Sequence, residues 1–205
     1  NSIRYEIPKL EDLRVLGESG KFRVIEVIPN QIVTKAREFR LTSFGQEVQR
    51  DLKNDILKIS VLERHGQNRK IATAWVKGFE LNKGALAASV AHDSHNVVVV
   101  GTNDLDMLEC LKWMKESGGG FLAVSDKKIL ASLSLPVAGL MTDAPALEVY
   151  RRLKDLRAAS KKLGCKLHEP FLQLAFLCLP VIPELKITDL GLVDVARFSL
   201  VDVRV

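Results

Sequence analysis

Apolar residues fall in alternating or short continuous runs through the first half of the chain and take helical spacing only after residue 104. Residues 22–28 read as a strand, Pro29-Asn30 as a turn and residues 32–35 as a second short strand, a hairpin candidate. Residues 56–62 and 71–76 read as two more strands around the turn Gly66-Gln67-Asn68. Residues 1–20 show little periodicity and are interrupted by Pro8, Gly17 and Gly20, so they read as a connecting segment.

From Gly78 small residues multiply, and Ala85 to Ala91 leads into the polar cluster His92-Asp93-Ser94-His95-Asn96. Val97 to Val100 then forms a short continuous apolar run, the pattern of a strand covered on both faces. Thr102-Asn103 supplies a helix cap, with Asp104 and Asp106 in the first turn where the helix dipole favours acids. Leu105, Leu108, Leu111 and Met114 give that helix an apolar face to about Ser117, and Gly118-Gly-Gly120 ends it. Residues 121–125 and 129–135 read as strands. A second helix is predicted after residue 141, capped by Thr142 or Asp143, with Pro145 in its first turn. Its buried stripe is Val149, Leu153, Leu156, Ser160 and Leu163, and Gly164 ends it. Residues 171–179 are almost wholly apolar and fit either a strand or a buried helix. The tail ends in an alternating strand at residues 198–203. The order, β-rich and then β-α-β-β-α, predicts an α+β fold: a small β-rich segment over residues 1–76, then an α/β-like domain of mixed strands and helices over 77–205.

With 205 residues, 47% hydrophobic and 27% charged, the chain has enough apolar material for a real core. No run approaches the ~20 apolar residues of a membrane span, and no signal-peptide pattern opens the chain. The chain begins without Met, which suggests a processed or trimmed chain, or a piece of something longer. Cys110, Cys165 and Cys178 are widely spaced and odd in number, so they read as core thiols in a reducing, cytoplasmic compartment. The net charge of +5 is spread along the chain. Its densest part, from Arg151 to Lys162, reads as a solvated helix face, because no aromatic residues interleave with it to stack bases.

The cluster at residues 92–96 is the densest group of chemically capable side chains. Two readings stand for it. One is a ligand or acid–base site built on His92, Asp93 and His95; the other is a hydrogen-bonded turn, since Asp, Ser and Asn side chains commonly bond to nearby backbone. His65 and His168 stand alone in sequence. Gly101-Thr-Asn-Asp104 follows a buried strand as a phosphate-binding turn would, but it lacks the glycine and lysine pattern, and its acids repel phosphate.

Several motifs resemble the C-terminal region of adenine deaminases of the amidohydrolase superfamily. They are Lys77-Gly-Phe, Gly84-Ala-Leu-Ala, Ser89-Val-Ala-His-Asp-Ser-His-Asn, Val99-Val-Gly-Thr-Asn-Asp104, Gly118-Gly-Gly120 and Leu135-Pro-Val-Ala-Gly-Leu-Met141. Leu179-Pro-Val-Ile-Pro-Glu-Leu-Lys186 and Thr188-Asp-Leu-Gly-Leu-Val-Asp194 complete the set, in the family's order. The resemblance implies adenine and water giving hypoxanthine and ammonia in purine salvage, with a divalent metal, manganese or iron, activating the water. It implies that residues 1–76 return to the small β-domain of the parent enzyme. It also implies that the main metal ligands lie on a barrel domain of the same enzyme, because none of the family's HxH pattern is present here. The isolated chain is then inactive, with no metal ligand assigned in it. His92, Asp93 and His95 support catalysis, Ser94 and Asn96 bind substrate, and the parent enzyme is a homo-oligomer without nucleic-acid or membrane partners. The alternative is a non-catalytic relative that binds purine or protein. Glu80 stands where the family usually has a small residue, and Gln173 and Ala175 replace two hydroxyl-bearing positions.

Overall fold

A computed structural model describes residues 2–205. The elements, in chain order, are β1 (Gly20–Val27), β2 (Thr34–Leu41), β3 (Ser43–Phe44), β4 (Glu47–Val48), β5 (Ile56–Leu62), β6 (Ile71–Lys77), β7 (Ala85–Ala88) and β8 (Val97–Gly101). They continue with α1 (Asp104–Ser117), β9 (Gly120–Ser125), β10 (Lys128–Ser134), α2 (Ala146–Lys162), α3 (Pro170–Leu177), β11 (Leu185–Thr188), β12 (Gly191–Asp194) and β13 (Ser199–Val201). The chain is α+β. Eight strands form one sheet in the order β10-β9-β7-β8-β5-β6-β1-β2, antiparallel except for the β1–β6 pair. The boundary expected at residues 76 and 77 falls at the end of β6, inside this sheet's run of strands.

Helices cover both faces. Ala85, Ala87, Val97 and Val99 turn toward α1, where Met107, Cys110, Leu111 and Met114 are buried. Leu86, Ala88, Val98 and Val100 turn the other way, onto Leu156 and Ala159 of α2, Leu163 at its C-terminal cap, and Phe171, Leu174 and Leu177 of α3. The four consecutive valines therefore serve two cores by simple alternation, as a strand buried on both faces requires. Gly101 at the end of β8 lets α1 approach the sheet: a Cβ there would stand 2.6 Å from Met107 and 3.0 Å from Ala85. Asn103 caps α1 by accepting from Asp106 N at 2.8 Å.

Three local expectations change and one open alternative closes. The second strand begins at Thr34 and runs to Leu41, because its exposed charged residues pair along the whole of β1. Residue 1 lies outside the described residues, and residues 2–20 contribute to the core: Ile3, Tyr5 and Leu13 lie buried against α1, and Tyr5 Oη donates to Leu111 O. Pro145 occupies the cap of α2 itself and no side chain caps that helix; Thr142 Oγ1 instead accepts from Ala144 N at 3.2 Å. The apolar stretch after Pro170 is a helix, which takes proline readily in its first turn. The helix basic face is solvent-exposed and carries the pairs Arg152–Glu148 and Arg157–Glu169. Among the described residues no helix is long and apolar enough to cross a membrane.

Candidate functional site

Antiparallel pairing places chain segments far apart in sequence at one end of the sheet. The pair Leu62–Val97 puts the end of β5 beside the start of β8, and Ala88–Phe121 and Ser134–Gly120 bring the ends of β7 and β10 to the start of β9. Residues 63–65, 89–96, 118–120 and 135–141 therefore share that end.

The polar cluster forms the loop from β7 to β8. Asp93 and Ser94 are exposed at its tip, His92 and His95 are half-buried, and Asn96 is 3% exposed. His92 N donates to Ala175 O on α3 at 3.0 Å, and the His92 ring packs on Phe176 with centroids 4.9 Å apart. The His92 and His95 rings meet edge to face at 5.3 Å, so the two histidines come together although they sit in a turn and not on a helix. His95, in the left-handed region at φ 52°, closes the loop: its Nδ1 accepts from Ala91 N at 3.2 Å. That bond leaves the proton of the neutral ring on Nε2. Burial lowers the His95 pKa, and the neighbouring His92 and the Arg64 cation lower it further, against Asp93.

His65 joins the cluster from the loop that follows β5. Its Nε2 lies 2.9 Å from Ser94 O, which accepts, so Nε2 carries the proton. His168 instead sits exposed beside Glu169 at the start of α3, with Nδ1 3.3 Å from the carboxylate. The Asn96 amide is committed at both ends: Oδ1 accepts from Arg64 N at 3.2 Å, and Nδ2 donates to Asp189 Oδ1 at 3.0 Å. Asp189 Oδ2 accepts in turn from Asn68 Nδ2 at 3.1 Å. Glu63 organises the β5–β6 loop. Burial acts to raise its pKa, but the N–H groups of His65, Asn68, Arg69 and Gln67 outweigh burial and hold it below the usual range.

Beside His92 an apolar depression of about 190 Å³ opens between α2 and α3, walled by Phe121, Leu153, Phe171 and Ala175. The bidentate Arg157–Glu169 pair stands at its rim. Of the two replaced hydroxyl positions, Ala175 lines this depression, while Gln173 is buried elsewhere on α3.

Among the described residues no group of three or more His, Cys, Asp or Glu side chains is placed to hold a metal ion. His95 Nδ1 and His65 Nε2 are already engaged within the loop. These residues do not fit a metal centre. The turn before α1 is equally closed to phosphate: Asp104 faces it and pairs with Arg50 and with the fully buried Lys58, at 2.9 Å from the latter.

Residues 31–199 match the family described as the adenine deaminase C-terminal domain. This chain belongs to that family. It is 48% identical to an adenine deaminase of Brucella anthropi over 201 residues, which is 98% of the chain and 36% of the relative. Adenine deaminase 1 of Rhizobium etli is 52% identical over 182 residues, 89% of the chain and 32% of the relative. An adenine deaminase of Dehalococcoides mccartyi is 48% identical over 192 residues, 94% of the chain and 34% of the relative. The chain thus spans about a third of the length of these relatives. Within the adenine deaminase C-terminal domain, the loop at residues 92–96 joins partner residues from the loop after β5 and from α3. Sequence reading found the loop. It missed Arg64, Asn68 and Asp189, whose one signal was Glu63-Arg64-His65 at the end of a wholly buried strand.

Proposed function

We propose that this chain is the C-terminal portion of a metal-dependent adenine deaminase, which converts adenine and water to hypoxanthine and ammonia in purine salvage. The observation that carries this reading is the match of nearly the whole chain to about a third of proteins named adenine deaminase. The metal, manganese or iron, activates water on the barrel portion outside this chain, and no step runs through a metal here.

The chain's own residues shape the site from one side. The loop at 92–96 faces the barrel mouth, with His92 braced on Phe176 and His95 held neutral with Nε2–H as a donor. Asp93 and Ser94, exposed at the tip, reach the barrel and the purine. Asn96 serves substrate binding by fixing the loop through Arg64 N and Asp189. The whole enzyme is a cytoplasmic homo-oligomer in this reading.

His92→Ala and His95→Ala in the full-length enzyme test the assignment. Loss of a supporting group costs about 10- to 100-fold in turnover, read as ammonia release with metal content measured alongside. Unchanged turnover and metal content would overturn the role of the loop. The isolated chain should release no ammonia from adenine with metal added. The apolar depression beside His92 favours a second reading, a non-catalytic purine binder, which requires adenine to bind the isolated chain.

A further inference from the structure

Arg64 is 3% exposed, and its Nε and Nη1 are sealed from solvent with no hydrogen-bond partner. Burial lowers its pKa, yet a guanidinium remains protonated at neutral pH. Burying such a cation without an acceptor is costly unless something pairs with it. Its backbone is firmly tied: Arg64 N donates to Asn96, and Arg64 O accepts from Arg4 N at 2.7 Å. The side chain reaches the turn at residues 137–141, where a Cβ on Gly139 would stand 2.2 Å from Nη1. The fit places a glycine where the guanidinium needs the room.

A second donor faces the same sheet end. His95 gives its Nδ1 to Ala91, so Nε2–H is left as a donor, and no hydrogen bond from it is made among the described residues. The Arg64 charge is felt at His95. Among the described residues no carboxylate pairs with the buried guanidinium, which leaves it free to take one negative charge. Val137 and Met141, 46% and 59% exposed, flank Gly139 and give the spot an apolar rim.

We propose that Arg64 and His95 form a recognition site for a carboxylate at this end of the sheet. The turn at 137–141 packs against Nη1 at Gly139, so it lifts when the carboxylate arrives. The carboxylate comes from an acidic side chain of a longer protein or from a free monoanion; the chemistry is shared. The proposal stands on the unpaired guanidinium and does not depend on the deamination reading.

Formate, the smallest carboxylate, tests it by titration into the 205-residue chain against chloride at equal ionic strength. The readouts are the His95 imidazole signals by NMR and the melting temperature. The expected result is a saturable shift with formate and none with chloride, weakened at least about tenfold in Arg64→Met. Should Arg64→Met fail to fold, Arg64→Lys keeps the cation but loses the planar fork, and it should bind formate several-fold more weakly. No saturable shift, an equal shift with chloride, or equal binding by the folded variants would overturn the proposal. In a protein extended to the length of the relatives, a lost formate shift together with a lower melting temperature for Arg64→Met assigns the carboxylate to the added portion. A retained shift there assigns it to a free ligand.

Discussion

Lys186 offers a test in which the sign and the size both follow from the structure. It lies on β11, fully buried, and its Nζ donates to Ile32 O at 2.7 Å and to Phe176 O at 3.0 Å. Two carbonyls solvate the ammonium and no carboxylate pairs with it. Burial pushes the pKa from 10.5 down to about 8. Between pH 8 and 10.5 the unfolded chain therefore holds a proton that the folded chain has released, so stability rises with pH across that window. Burying Lys186 costs about 3 kcal/mol at pH 7, where it is charged, and about 1 kcal/mol at pH 10, where the folded side chain is neutral and only the unfolded chain still holds the proton. Lys186→Met retains the length of the side chain and removes the titration. In urea denaturation at both pH values, the wild type should gain about 2 to 3 kcal/mol on the variant between pH 7 and pH 10. Other alkaline titrations, such as that of Tyr5, cancel in the difference. Parallel pH profiles, or a gain by the variant, would refute the reasoning. The same Phe176 carbonyl ends the helix that braces His92, so the variant should also speed hydrogen exchange at the His92 amide, which donates to Ala175 O.

Two further outcomes follow from charges read in place. Asp104→Asn removes a carboxylate shared by Arg50 and the fully buried Lys58, leaving Glu47 at 3.1 Å as the acid partner of Lys58; a loss of about 3 to 5 kcal/mol is expected by chemical denaturation. His95 titrates below its usual 6.5, so its stabilising effect is present above that pH and is lost as the pH falls through it. His95→Gln should flatten the acid limb of a melting-temperature profile, and an unchanged limb would exclude His95 as its source.

The candidate site was half legible in the sequence. His92 to Asn96 announced itself because polar groups with reactive or turn-forming chemistry stood together between apolar runs. Their division of labour did not: Asn96 is committed to Arg64 N and Asp189, while Asp93 and Ser94 stay exposed. Arg64 and Asp189 were invisible because nothing local distinguishes a buried, unpaired arginine from a solvated one, or a bridging aspartate from a turn residue. His65 and His168 looked alike in sequence, yet only His65 reaches the loop, because β5 pairs with β8.

By itself the sequence determined most element types, since strand and helix write different apolar periods into the chain. It determined that Val97 to Val100 is covered on both faces, and it carried the motifs of the family. Residues 171–179 remained open between strand and helix, because a short, uniformly apolar run has no period to read. Tertiary structure decided that case, drew Ile3, Tyr5 and Leu13 onto α1, and ordered eight strands into one sheet. It also decided the site, for a physical reason: antiparallel registers carry the ends of β5, β7 and β10 to the starts of β8 and β9. There Arg64, His92 and His95 meet although 31 residues separate the first from the last.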